Sequence, residues 1–375
     1  MQLREAWGRA GRPRMCSDHG TAGWWRRFRR RGIVAWLVLG LTLATVLAGC
    51  GGGAGGGQGA QTPATPGADT VQGGEASTTT QYPLSVSDDA GRQVTIQKRP
   101  ERIVSLAPSN TEILFAIGAG DRVVGVDSFS DYPAEASSLP KVGGVTDTNF
   151  EQIVALAPDL ALAIGGAEEQ VQRLEELGIP TVVIQPATLE DVLERIKLIG
   201  RIVDAQEGAA RVVRDMRSRI DAVRSRVADI PEEKRIRVFY EVWHDPLMTV
   251  GPGGFIHDVI EAAGGVNIAA DAGSPWPEIS LETVVDKDPQ VIIVPASLKS
   301  SYEELRAGKR KGWEGITAVR EGHIYSIDDN IISRPGPRLG EGLEQIARWL
   351  YPDRFQGWAM RMTVERPRNA EPRGG

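Results

Sequence analysis

Few side chains in this chain could carry covalent chemistry, and their spacing does not suit it. Beyond residue 49 the histidines are His244, His257 and His323, far apart and without paired acids at ligand spacing. A zinc or manganese site normally gathers several such groups. The sequence has no G-x-S-x-G elbow, no H-E-x-x-H helix and no G-x-x-x-x-G-K-[ST] loop. Gly118-Ala119-Gly120 reaches Val123 where a dinucleotide fingerprint needs its third glycine, and it follows a helix, so it is expected to be a helix stop. No catalytic residue, metal or resident cofactor is assigned.

Binding is better served than catalysis. Tyr132 lies in Phe129-Ser-Asp-Tyr-Pro133, after an apolar strand, where open α/β sheets take ligands. Trp243 follows the strand Arg237 to Val242 in the same way, and Trp276 is held between Pro275 and Pro277, which excludes it from a helix or central strand. Three large flat groups on loops suit a cleft that grips a bulky planar ligand; the alternative is that each plugs the core of its own lobe. Gly253, in Gly251-Pro-Gly-Gly254 ahead of a helix, could bring backbone amides to a ligand or simply make a turn. Arg334, in Arg334-Pro-Gly-Pro-Arg338, could face the cleft or form a surface ion pair.

The elements that must position these groups alternate. A strand pair, Leu84 to Val86 and Gln93 to Ile96, precedes strands at 102–106, 123–126, 160–163 and 181–184, with helices between them. Ser109 and Glu112 are expected to form a capping box. Residues 188–230 read as a connecting helix, with apolar positions at three- and four-residue steps and an interruption near Asp204 to Gly208. A second alternating series fills 231–352. Strands apolar on both faces imply parallel sheets covered by helices. The fold class is therefore α/β, two Rossmann-like lobes (81–187 and 231–352) with parallel sheets joined by a single long α-helix. Residues 353–375 form a tail, of which Arg354 to Gly375 reads as mostly disordered.

The first 49 residues carry Arg26-Arg27 and Arg29-Arg30-Arg31, then an apolar run from Ile33, then Leu47-Ala-Gly-Cys50. The run is shorter than the roughly twenty residues of a membrane span. It reads as a secretion signal, and its end resembles the lipobox of bacterial lipoproteins, which implies that Cys50 becomes the lipidated first residue. Residues 50–80 are Gly, Thr and Pro rich and are expected to be a disordered tether. Removing residues 1–49 leaves 34 basic and 47 acidic side chains, a net charge near −13, which repels phosphate backbones and excludes nucleic acid. Cys16 and Cys50 are the only cysteines, so the remainder has neither a disulfide nor thiol chemistry.

The two halves share a phrase. Asn149-Phe-Glu151-Gln-Ile-Val154 runs to Pro158, and Ser280-Leu-Glu282-Thr-Val-Val285 runs to Pro289, with glutamate and proline seven residues apart in both. Each glutamate complements a helix dipole, and Thr148 with Glu151 would make a capping box.

These pieces together resemble the substrate-binding proteins that serve ABC importers for cobalamin, iron siderophores and haem. The matching phrases are Arg102 to Phe115, Ser130 to Pro133, Asn149 to Leu160, Gly264 to Ile268, and Pro275-Trp276-Pro277 leading into Ser280 to Val285. Within that family the wording is most similar to the cobalamin binders, which implies that Tyr132 and Trp276 lie against the corrin. Cobalamin binders can carry a further Trp after the strand that here ends Ile164-Gly165-Gly166, and the small residues at that point imply a more open pocket or another ligand. The resemblance implies a lipid-anchored, extracytoplasmic monomer, not an enzyme. It would take a corrinoid, or a ferric siderophore or haem, to a permease dimer with its ATPase. Glu151 and Glu282 would engage the permease. Readings from other classes are an α/β enzyme, which would need converging His, Cys or paired carboxylates, and a structural lipoprotein.

Overall fold

The computed structural model describes residues 79–358. Cys50, the signal and most of the tether lie outside the described residues. Strands β1 (Leu84–Ser87) and β2 (Gln93–Ile96) pair antiparallel, each with alternate residues buried. Asp88 fixes their turn: its carboxylate accepts from the backbone N–H groups of Ala90 (3.1 Å), Arg92 (2.9 Å) and Val183 (3.1 Å) and pairs with the Arg92 guanidinium.

The N-terminal lobe continues with β3 (Ile103–Ser105), α1 (Pro108–Ala116), β4 (Val123–Val126), α2 (Ala134–Ser137) and α3 (Phe150–Ala155). It ends with β5 (Leu160–Ile164), α4 (Glu168–Glu176) and β6 (Thr181–Ile184). The sheet is parallel, in the order β4-β3-β5-β6. All three β3 residues and all four β6 residues are buried, as a sheet covered on both faces requires.

The segment 188–230 is not one rod. Helix α5 (Leu189–Ile202) opens on a capping box made by Thr188 and Asp191, and α6 (Gln206–Val227) follows it in the opposite direction. The chain turns at Asp204, whose φ of 54° is left-handed. Glu190 pairs with Arg217, and a Cβ on Gly200 would lie 2.4 Å from the Ala209 Cβ, so the two helices are antiparallel and close-packed. Both bury one face, and an apolar period reports a buried face without reporting its direction. The 22-residue α6 carries the chain from one lobe to the other, and α5 also touches the far lobe, the Leu189 N–H donating to Asp258 at 3.1 Å. At the start of α6 a Cβ on Gly208 would lie 1.8 Å from the Ile117 carbonyl oxygen of the N-terminal lobe; at its end Val227 packs beneath Gly264 of the other.

The C-terminal lobe comprises β7 (Arg237–Tyr240), the short antiparallel pair β8 (Trp243–His244) and β9 (Leu247–Met248), α7 (Phe255–Ala262), β10 (Val266–Asn267), α8 (Leu281–Lys287) and β11 (Val291–Pro295). It closes with α9 (Lys299–Arg306), α10 (Thr317–Glu321), β12 (Ile324–Ile327), α11 (Asp329–Ile332) and α12 (Leu339–Leu350). Its parallel sheet has the order β10-β7-β11-β12. The buried pair Arg219 and Glu344, 3.2 Å apart, ties α12 to α6.

The chain stays ordered past residue 352, where the sequence suggests a tail. Phe355 is buried, Arg354 pairs with Asp229 at 2.5 Å, and the Arg226 guanidinium lies 4.0 Å from the Trp358 ring centre. These residues dock on the end of α6. Polar composition hid the two aromatic anchors.

Candidate ligand cleft

The loop that carries Tyr132 is built from beneath. Asp127, just past β4, is buried and receives the Ser130 hydroxyl and the Phe129 N–H (2.8 Å). Thr111 Oγ1 lies 2.7 Å from Ser130 Oγ and 2.8 Å from Ser105 Oγ, so a chain of buried hydroxyls links β3, α1 and the loop. Lys141 Nζ donates to the Ser130 carbonyl at 2.5 Å. Burial raises the Asp127 carboxyl above its ordinary range, against the lowering effect of Ser130 and the Phe129 N–H. These bonds physically connect Ser105, Thr111 and Ser130, which the sequence places in two separate phrases.

The loop then meets the other lobe. Glu112, on α1, has a side chain only 2% exposed and points at the segment after β12. Arg338 gives it Nε at 2.8 Å and Nη2 at 2.6 Å, and Arg334 gives it Nη1 at 3.0 Å. Arg334 also donates to Asp131 (2.7 Å) and to the Phe129 carbonyl (3.2 Å). The Arg338 guanidinium lies 4.0 Å from the centre of the Tyr132 ring, a cation–π contact. Burial lowers the Arg338 affinity for its proton, and the bonds to Glu112 more than offset this, so the net shift is upward. Burial also raises the Tyr132 phenol.

Two expectations change here. Ser109 and Glu112 make no capping box: Pro108 starts α1 one residue earlier, Ala107 caps it without a side-chain bond, and Glu112 is taken by the arginines. Of the two readings of Arg334 the structure shows the ion pair, made across the lobes: its guanidinium is engaged by Glu112, Asp131 and the Phe129 carbonyl. From the sequence Glu112 reads only as a helix-capping residue, and Arg338 is given no role. Each lies inside a phrase that the sequence marks out, but their pairing spans 226 residues and leaves no local signal.

In the C-terminal lobe the proline-flanked tryptophan is strapped down on both sides. Gly251 N–H donates to the Pro275 carbonyl (2.9 Å) and Thr249 N–H to that of Pro277 (3.0 Å). A Cβ on Gly251 would come within 2.3 Å of the Ser274 carbonyl oxygen, so that approach needs glycine. Gly253 takes a left-handed φ of 84° in the turn before α7. Trp276 is half-buried, with its ring edge-on to Phe255 at 6.5 Å between centres. Trp243 is placed differently from expectation: β7 ends at Tyr240, and Trp243 begins the β8–β9 pair, half-buried against the apolar cluster around Phe239 and Ile268.

Tyr132, Trp243 and Trp276 all lie beyond the carboxyl ends of parallel strands, and all stay partly exposed. No two of them are in ring contact. Tyr132 alone reaches across to the opposite lobe. Glu151 and Glu282 are exposed on α3 and α8. Helix α3 is capped by Asn149, whose side chain accepts the Gln152 N–H at 2.9 Å, and not by Thr148, whose hydroxyl goes to the Gly144 carbonyl at 2.6 Å. Among the described residues no cluster of three or more His, Cys, Asp or Glu could hold a metal, and no helix is long and apolar enough to cross a membrane.

Two parallel α/β lobes, one joining helix and a polar latch across aromatic-bearing loops define a bilobal binding protein. The family described as Periplasmic binding protein matches residues 103–331, and the chain belongs to it. It is 33% identical over 334 residues to the uncharacterized ABC transporter substrate-binding lipoprotein YvrC of Bacillus subtilis, covering 88% of this chain and 99% of that one. It is 32% identical over 253 residues to the vitamin B12-binding protein of Vibrio cholerae, covering 67% and 89%. The crystal structure of the Vibrio cholerae periplasmic vitamin B12-binding protein superposes with a TM-score of 0.60 at 31% identity, over 68% of this chain and 98% of that one. The periplasmic haem-binding protein RhuT of Roseiflexus gives 0.60 at 29% identity, over 67% and 98%.

Proposed function

We infer that this chain is the substrate-binding component of an ABC importer, working outside the cytoplasm, and that its cargo is a corrinoid. The family and its relatives are substrate-binding proteins and not enzymes. These relatives carry the importer reading, and the cleft supplies the argument for the cargo. Arg334 and Arg338 are already neutralised by Glu112 and Asp131. Haem presents two carboxylates and many ferric chelates carry net negative charge, so both favour a cleft with cations to spare. A corrin rim is dominated by neutral amides, which need aromatic faces and backbone hydrogen-bond groups. Tyr132 and Trp276 supply the faces; Trp243 and the turn at Gly253 stand at the same ends of their strands. Arg334 contributes by holding the Tyr132 loop.

Calorimetry with cyanocobalamin, haemin and a ferric hydroxamate tests this. Binding of cyanocobalamin at micromolar concentration or below, weakened at least tenfold by Tyr132→Ala or Trp276→Ala, is expected. Binding of haemin or the hydroxamate alone would replace the corrinoid with an iron chelate. The docking role of Glu151 and Glu282 is a separate part of the proposal. Glu151→Lys with Glu282→Lys should abolish cyanocobalamin uptake and leave its affinity unchanged; normal uptake would refute it. Attachment through lipidated Cys50 predicts that Cys50→Ser releases the protein from the membrane as a monomer.

A further inference from the structure

Among the described residues the buried acidic side chains are Asp88, Glu112, Asp127, Glu241 and Glu344. All but one lie against an arginine: Asp88 on Arg92, Glu112 on Arg338, Glu241 on Arg310 and Glu344 on Arg219. Asp127, 2% exposed, makes no ion pair among the described residues. Burial of an unpaired carboxylate opposes folding. Such a group beside a ligand cleft points to a functional demand.

What the carboxylate grips is the stretch just before Tyr132. One oxygen takes the Phe129 N–H at 2.8 Å and the other the Ser130 hydroxyl. The carbonyls of the same two residues meet cations: Lys141 donates to Ser130 at 2.5 Å, and Arg334, from the C-terminal lobe, to Phe129 at 3.2 Å. Phe129 and Ser130 are thus held with negative charge at their donors and positive charge at their carbonyls. An ionised carboxylate only accepts, so Ser130 must give it its proton, which leaves Ser130 Oγ to accept from Thr111, 2.7 Å away. A protonated carboxyl would turn donor towards Ser130, and the hydroxyls would have to reverse.

We propose that ionised Asp127 is a positioning residue for the cargo: it fixes Phe129 and Ser130 so that Tyr132 presents its ring to the ligand, and taking up a proton releases that hold. The ligand rests on the corrinoid reading above; the hold on the loop does not. Burial is the largest influence on this carboxyl and raises it, outweighing the lowering by Ser130, the Phe129 N–H, Lys141 and Arg334. A carboxyl raised above its unfolded value gives stability below that unfolded value and loses it as pH rises through the folded one. At neutral pH the ionised group therefore costs the fold stability while it holds the loop. The other ionisable groups here are Glu112 and Asp131, both bound to Arg334, and Arg338 over the Tyr132 ring.

Asp127→Asn keeps the size and the acceptor for the Phe129 N–H and removes the charge. The full protein is titrated with cyanocobalamin by calorimetry from about pH 7.5 to about 4.5. In parallel, the protein labelled with 3-fluorotyrosine is followed by fluorine NMR, the Tyr132 resonance being identified by its loss in Tyr132→Phe. Affinity of the unaltered protein should fall about tenfold with acid, and the Tyr132 resonance should move over the same range, with a midpoint above 3.8. Asp127→Asn should bind about tenfold more weakly at the upper pH, show neither change with acid, and melt no lower than the unaltered protein. A merely structural role would instead lower its melting temperature and leave the acid response in place. Full affinity in Asp127→Asn would overturn the proposal, as would an acid response that persists in it, which would belong to Glu112 or Asp131. Absence of cyanocobalamin binding by the unaltered protein would refute the cargo reading, and the Tyr132 resonance alone would then decide the hold on the loop.

Discussion

Glu112→Ala removes the acid that both latch arginines share. Its side chain is 2% exposed and those of Arg334 and Arg338 are 12% and 14%, so three charge-assisted hydrogen bonds are lost where water cannot replace them freely. Removing one partner of a buried ion pair costs about 3–5 kcal/mol, because the remaining charge is stranded. Here two cations are stranded, but each keeps a fallback: Arg334 still has Asp131 and the Phe129 carbonyl, and Arg338 the Asn330 carbonyl and the Tyr132 ring. The expected cost is therefore at the low end, about 3 kcal/mol. Urea unfolding of Glu112→Ala, Arg338→Ala and the double variant gives the coupling directly, and ~2 kcal/mol is expected for the bidentate pair. Small-angle scattering should show the lobes further apart in Glu112→Ala. A coupling below ~0.5 kcal/mol with unchanged scattering would show that the latch does not hold the lobes, and the cargo argument from neutralised arginines would fall with it.

Three further outcomes follow from the fold. Burial pushes the Asp88 carboxyl up, but the Arg92 and Val183 N–H groups and the Arg92 guanidinium more than offset it, so its folded value lies below the ordinary 3.8. Its stabilisation is thus complete above about pH 4 and disappears as pH falls through the depressed value; Asp88→Asn should lose ~2 kcal/mol near pH 7 and show a flatter acid limb in melts from pH 6 to 3. Gly208→Ala places a Cβ 1.8 Å from the Ile117 carbonyl oxygen, which must push α6 off the N-terminal lobe, at a cost of ~1–3 kcal/mol measurable by denaturant titration; unchanged stability would contradict that contact. Replacing Phe355 and Trp358 by Ala removes both rings from the end of α6 and should lower stability by ~2–4 kcal/mol in denaturant titration, and unchanged stability would contradict their docking.

The alternation of strands and helices was legible because each strand is a short, continuous apolar run, as at Thr181–Ile184, and a covered parallel sheet leaves no other reading. The repeat was legible because its glutamate and proline stand at a fixed offset. Other features were not. The reversal at Asp204 depends on one backbone angle in a residue type that tolerates it, inside a helical period that continues on both sides. The β8–β9 pair is two residues per strand, too short for any alternation to register. Tyr132 reads from the sequence as an aromatic on a loop beyond a strand, but what holds it in place comes from Ser105, Thr111, Glu112 and Arg338, whose partners lie 6 to 226 residues away. Such pairings are properties of the folded chain. The start of the tail, 353–358, was not legible because the charged residues of the segment outnumber its two anchoring rings.

The joining helix α6 touches backbone or a glycine at each end, Ile117 at one and Gly264 at the other, with no slack for a side chain between them. An α-helix turns about 100° and advances ~1.5 Å with every residue. Adding one residue to α6 would therefore swing one half of the molecule a quarter turn or more about the other, prising Arg338 away from Glu112 and turning Glu151 out of line with Glu282. Only a whole-turn change, three or four residues at a time, would preserve their bearing, and even that would lengthen the gap. The helix works as a keyed shaft: its residue count, more than its composition, is the dimension the rest of the protein is machined around.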